Sequence, residues 1–235
     1  MSAAGSTFDT DTAVAATAGL IDDSARDWLV VRGADAGTYL QSQLAQEIRD
    51  LAVGAARWTF VLDPTGKVEA LARIARTADE EYVLDTDAGF GEAMAARVKR
   101  FMIRVEVDTE LQLASEGEPS ARVEAARIAA GWPRMGAEIV PGETIPATTG
   151  VVPVAVNFTK GCYPGQELVE RMDSRGADAP RRLVVLDVEA AAVGDPVEVD
   201  GAEVGTITSV SPDGGAVLAM VKRGADVGRP PAHLA

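Results

Sequence analysis

The sequence predicts an α+β fold laid out in three consecutive zones. Short β-prone runs alternate with two amphipathic helical stripes over residues 20–108. A stretch dense in glycine and proline, with little periodicity, follows over residues 109–180. Residues 181–235 then repeat short β-branched runs separated by glycine and aspartate turns, the pattern of a small β-barrel with a tail.

The elements follow in order. Residues 1–19 are rich in Ala, Thr, Ser and Asp and offer little to a core, so they read as a disordered leader, with order expected from about Leu20. DWLVVRG reads as a strand. The helical spacing of Tyr39, Leu40, Leu44, Ile48 and Leu51 predicts a helix behind it, with Asp35 as its cap. WTFVLDPTGKVEALARI is a hairpin in which proline sets one φ of the DPTG turn and glycine accepts a positive one. EYVLDT is a further strand. Phe90, Met94, Val98 and Phe101 form a second helical stripe, and FMIRVEV returns to strand-like alternation. TELQLASEGEPSARVEA reads as an acidic linker into a short helix, and ARIAAGWPRMGAEIVPGETIPATTG as a long loop, a class of segment often tied to function.

Composition narrows the function. A net charge of −14 over 235 residues disfavours direct nucleic-acid binding, which needs a basic face to neutralise phosphates. Basic residues gather only in RVKRFMIR and RMDSRGADAPRR, where a local positive pocket for a small anion competes with a plain solvated face. The start of the chain lacks the basic and apolar pattern of a secretory signal, and no apolar run is long enough to span a membrane, so the expected location is the cytoplasm.

The single cysteine, Cys162, cannot form an internal disulfide. The single histidine, His233, lies at the far C-terminus, so a Cys-His nucleophile is not expected, nor is a self-contained metal site. An iron–sulfur cluster would require ligands from a partner or a small thiol, held transiently. Locally, Lys160 two residues upstream and a helix beginning at PGQ would both favour thiolate at Cys162. The competing reading is a small buried hydrophobe.

KGCYPGQE resembles the signature of the YgfZ family, folate-binding relatives of the glycine cleavage T-protein (GcvT, an aminomethyltransferase), whose pattern is Lys-Gly-Cys-aromatic-x-Gly-Gln-Glu. The match falls without a gap on Lys160, Gly161, Cys162, Tyr163, Gly165, Gln166 and Glu167. YLQSQLAQEIRDL, FVLDPTGKV, RIAAGWPRMGAEI and RRLVVLDV are similar to further stretches of the family. The resemblance implies a GcvT-like α+β folate-binding region (20–108), a ferredoxin-like middle region (109–180) shortened here, and a C-terminal β-barrel (181–235). It also implies an accessory factor that binds tetrahydrofolate or a derivative and serves the assembly or repair of iron–sulfur proteins, including radical enzymes that modify tRNA. Its partners would be iron–sulfur assembly or client proteins. A folate-dependent aminomethyltransferase and a non-catalytic scaffold are the alternatives.

Under that resemblance Cys162 and Lys160 are the reactive pair at the rim of a folate cavity. Gln166 and Glu167 offer hydrogen bonds to a pterin edge, or else form the first turn of a helix. Tyr163 belongs to the same set. Arg171 and Arg175 are candidates for the folate carboxylates, with ordinary surface arginines as the alternative. Arg127 stands in the glycine-proline loop; two residues later, where T-proteins carry a pterin-contacting glutamate, this chain has Ala129. The T-protein catalytic aspartate has no secure counterpart, Asp63 being as readily a turn former. Tyr39, Trp58 and Trp132 read either as ring-packing surfaces or as core.

Overall fold

β1 (Arg26–Arg32) sits beside the middle of an antiparallel sheet of five strands, ordered β2-β3-β4-β1-β5. The computed structural model describes residues 17–115, 117–174, 179–188 and 190–232. β2 (Ala56–Leu62) and β3 (Val68–Ala78) form the hairpin that the DPTG turn predicts. Asp63 Oδ1 accepts the backbone N–H of Thr65 at 2.8 Å and of Lys67 at 2.9 Å, and Gly66 takes a φ of 89°. β4 (Glu81–Asp87) pairs with both β3 and β1. Asp63 is thus a turn former.

Two helices pack side by side against this sheet: α1 (Ala36–Gln43) and α2 (Gly91–Lys99), with the Tyr39 hydroxyl of α1 donating to the Val98 carbonyl of α2. The start of α2 is fixed by Asp27 of β1, whose Oδ2 accepts the N–H of Gly89 at 2.9 Å and of Gly91 at 2.8 Å. A side chain at Gly91 would collide with that same aspartate, its Cβ coming 2.4 Å from Asp27 Cβ.

Four local expectations change. The periodicity through Leu51 predicts a longer first helix, yet α1 stops at Gln43. Leu44, Ile48 and Leu51 are buried as expected, but on irregular chain that turns along β2: Ala45 N–H donates to the Phe60 carbonyl at 3.1 Å and Gln46 N–H to Thr59 Oγ1 at 3.2 Å. Asp35 makes no side-chain cap; its Oδ2 instead accepts Glu106 N–H at 2.8 Å. FMIRVEV is irregular, with Phe101 40% and Ile103 71% exposed and Arg104 at a φ of 57°, so its alternation meets no partner strand. TELQ, read as linker, is β5 (Asp108–Gln112), an edge strand on β1 in the register Trp28↔Gln112.

Of the leader, residues 1–16 fall outside the described residues, while Thr17 is buried and its Oγ1 accepts the Trp58 indole N–H at 2.8 Å. The glycine-proline stretch is core-filling. α3 (Ala121–Ala130) ends on Gly131 at a φ of 75°, and Trp132, Met135, Ile139 and Val151 of the following loop are all buried. Trp132 packs on Trp58 with ring centroids 4.7 Å apart, and Tyr39 is buried too, so the core reading holds for these three aromatics. The short α4 (Val152–Ala155) and α5 (Gln166–Ser174) complete the middle region.

The C-terminal zone forms a four-stranded antiparallel sheet: β6 (Arg181–Leu186), β7 (Pro196–Val199), β8 (Ala202–Val210) and β9 (Val217–Lys222), ordered β6-β9-β8-β7. Among the described residues no pairing joins β6 to β7, so the sheet is open where a closed barrel is expected. The chain after β9 docks: Arg229 exchanges backbone hydrogen bonds with Val185, and Pro231 lies against Gly131.

Arg127 ties the zones together. Its Nε donates to Glu124 at 2.7 Å, one terminal nitrogen to the Trp132 carbonyl and to Glu138, both at 3.1 Å, and the other to Glu124 at 2.5 Å and to Ser209 of β8 at 2.8 Å. Every guanidinium N–H has an acceptor. Glu138, fully buried, also accepts the Ser209 and Thr208 hydroxyls. Arg127→Met should therefore cost about 3 kcal/mol or more, because it strands a buried carboxylate. Arg171→Met, which breaks only an exposed pair, should change stability by about 0.5 kcal/mol or less. Urea unfolding of the two variants side by side checks the contrast.

Candidate functional site

The KGCYPGQE segment runs from the C-terminal end of α1 to the start of α5. Lys160 points inward and is 6% exposed; its ammonium donates to the carbonyls of Gln41 at 2.6 Å, Leu44, and Gln46 at 3.2 Å. The first two belong to the end of α1 and the third to the turn after it, so the lysine caps the helix and fixes the turn that ends it. Burial pulls the ammonium down to about 8, opposed by the Glu47 carboxylate. Tyr163 also turns inward, its ring centroid 5.1 Å from Lys160 Nζ. Its hydroxyl is buried with no hydrogen-bond partner among the described residues, and burial pushes it up to about 12.

Between these two anchors Cys162 is exposed, a free thiol. The buried-hydrophobe reading therefore fails. The donors expected to face the sulfur are engaged elsewhere: the Lys160 ammonium on the α1 carbonyls, and the first N–H of α5, from Gln166, on the Tyr163 carbonyl at 3.3 Å.

Gly165 joins the segment to the β2–β3 hairpin. It has a φ of 84°, and a Cβ there would meet the Asp63 carbonyl oxygen at 2.6 Å and Gly66 Cα at 2.8 Å. A Cβ on Gly66 would in turn meet Leu168 Cβ at 2.5 Å. Two glycines, both at positive φ, let the two backbones touch.

Four predicted site residues line one open groove of about 370 Å³ over this contact: Tyr163, Gln166, Glu167 and Arg171, together with Pro64 and Thr65. Gln166 Oε1 accepts Tyr163 N–H at 3.3 Å and its amide donates to Glu170, while Glu167 and Arg171 pair at 2.8 Å. Arg127 is not brought to that groove. Arg175 lies outside the described residues, as does His233.

A second, more enclosed cavity of about 240 Å³ lies between β1, the end of β4, α3 and the loop behind α3. Phe90, Trp132 and Met135 form its apolar walls; Arg26, Asp87, Arg127 and Arg134 supply polar groups. The Arg134 Nε is buried with no acceptor among the described residues, although its NH1 pairs with Glu118 at 2.7 Å. Sequence reading did not single out Asp87, which stands just past EYVLDT, or Arg134, which stands within RIAAGWPRMGAEI. The basic run RVKRFMIR, read as either a small-anion pocket or a solvated face, begins with Arg97, which is buried on α2. On β3, Glu69 has its carboxyl moved up by burial and by the neighbouring Asp63. No three His, Cys, Asp or Glu side chains gather as a metal site would need, among the described residues. No helix there is long and apolar enough to cross a membrane.

The structure resembles aminomethyltransferase T of the glycine cleavage system from Bartonella henselae, with a TM-score of 0.71 and 16% identity, over 88% of this chain and 78% of that one. The fold is that of a T-protein. Residues 7–116 match the GCVT N-terminal domain, a span that contains the five-stranded sheet with α1 and α2. An uncharacterized protein of Haemophilus influenzae is 28% identical, over 76% of this chain and 79% of its own length. Within the T-protein fold, the glycine contact seats the KGCYPGQE segment on the hairpin of that N-terminal span.

Two measurements follow. Gly165→Ala should lower stability by about 2 kcal/mol or more, since both its φ and its backbone contact are lost, as read by the thermal midpoint. Lys160 gives a pH signature. With its value lowered from 10.5 to about 8 in the folded chain, the unfolded chain binds the extra proton between those limits. Stability should then rise with pH from about 8, by up to about 1.4 kcal/mol per pH unit. Above pH 10 the raised Tyr163 acts in the opposite sense. The rise between pH 8 and 10 should be absent from Lys160→Met.

Proposed function

We propose that this protein is a cytoplasmic tetrahydrofolate-binding accessory factor for the assembly or repair of iron–sulfur proteins, of the YgfZ type. The observation that carries the reading is a T-protein fold in which Lys160 and Tyr163 are turned into the core while Cys162, between them, is turned out to solvent. Such a thiol is placed to meet a partner or a transient cluster whose remaining ligands come from that partner.

The enclosed cavity fits the head of a folate. Its volume of about 240 Å³ suits a fused bicyclic ring rather than the whole molecule. Trp132 and Phe90 offer aromatic surface, Asp87 can accept from an amino group, and the orphaned Arg134 Nε can donate to a ring nitrogen or carbonyl. A bound tetrahydrofolate would supply a one-carbon carrier. Arg127 would serve there through position alone, because its donors are already taken.

Glu69 favours the alternative, a one-carbon transferase. Its carboxyl, moved up by burial and by Asp63 on the second strand of the hairpin, suits proton transfer during turnover.

Anaerobic calorimetry of tetrahydrofolate against the purified protein is the deciding test, with Cys162→Ala alongside. The expected result is saturable one-to-one binding by both proteins, with Cys162→Ala failing to restore iron–sulfur enzyme activity in cells lacking the protein. A folate product accumulating in excess over protein would favour the transferase. Absence of binding would leave the scaffold reading.

A further inference from the structure

Arg97 differs from the other buried arginines. Arg26, Arg57 and Arg127 each hold a carboxylate. Arg97, 5% exposed, has no ion-pair partner among the described residues; its Nε donates to the Leu62 carbonyl at 2.5 Å and its NH1 to Gln43 Oε1 at 3.2 Å. Both acceptors are neutral, and the remaining nitrogen, NH2, is buried with no acceptor among the described residues. The Glu69 and Asp63 carboxylates act on it only from a distance, and a buried guanidinium with no directly paired carboxylate and one open edge is complementary to an oxyanion, and to a carboxylate above all.

The access route is equally specific. The Phe101 ring covers the guanidinium, its centroid 5.2 Å from Arg97 Cζ and 5.7 Å from Arg100 Cζ. That ring is 40% exposed and begins the irregular stretch 101–107, so it can swing away without breaking a strand or helix. An arene between two guanidinium groups also gives a flat surface for an aromatic ring attached to the carboxylate.

We infer that Arg97 is an oxyanion subsite for an aryl-linked carboxylate, with Phe101 as its movable cover. The inference rests on the folate reading only for the natural source of that carboxylate, the glutamyl tail.

The test uses 4-aminobenzoyl-L-glutamate, which carries the arene and the carboxylates without a pterin, and its uncharged diamide, in calorimetry on the whole protein. Saturable binding of the acid is expected, at least tenfold tighter than the diamide. Arg97→Lys should weaken the acid at least tenfold. The inference is overturned if the wild-type protein does not bind the acid, or binds acid and diamide equally, a comparison that needs no variant. It is also overturned if a folded Arg97→Lys protein binds the acid as the wild type does. Tetrahydrofolate separates the two readings. Arg97-dependent binding of the acid with no tetrahydrofolate binding would sink the folate reading and keep the subsite. Tetrahydrofolate binding unchanged in Arg97→Lys would do the reverse.

Discussion

The Lys160 ammonium on three main-chain carbonyls is the interaction on which the arrangement of the first region and the cysteine segment depends. It satisfies the end of α1, forces the chain after Gln43 to turn along β2, and holds a segment more than a hundred residues later in sequence against that turn. Buried carbonyls need partners, and here one side chain supplies three of them. Its burial carries an electrostatic cost, visible in the lowered lysine, which the three carbonyls and the Tyr163 ring offset.

The glycine contact extends the same logic. Gly66 and Gly165 both need positive φ, and each removes a Cβ that the other's neighbourhood could not accommodate. With Lys160 and Tyr163 turned inward and Gly165 pressed on the hairpin, Cys162 is the residue of the segment left facing solvent with a reactive atom. Its exposure is thus a consequence of how its neighbours are held.

Buried and half-buried arginines do the joining elsewhere. Arg127 links α3, the loop behind it and β8, and Arg26 and Arg73 share Asp85 across the five-stranded sheet. In each case opposing carboxylates lie within hydrogen-bond reach, which makes these structural ties. Arg97 lacks that compensation, and this is why the same residue type has a different meaning at the end of α2.

The sequence by itself determined the α+β class, the hairpin at DPTG, the burial of Tyr39 and Leu40 on one helix and of Met94 and Val98 on the other, and the string KGCYPGQE, because each rests on local pattern or turn chemistry. It overran α1, since periodicity at Leu44, Ile48 and Leu51 reports burial and not helix, and the signal that ends the helix comes from Lys160. It read β5 as linker because an edge strand buries too little to show a pattern. The motif was legible as a string, whereas only the tertiary structure decided that its lysine is a cap and its cysteine faces out. The same holds for Arg127, which the fold surrounds with acceptors, and Arg97, which it leaves one short. Burial and hydrogen-bond partners are set by residues distant in sequence, and no local pattern encodes them.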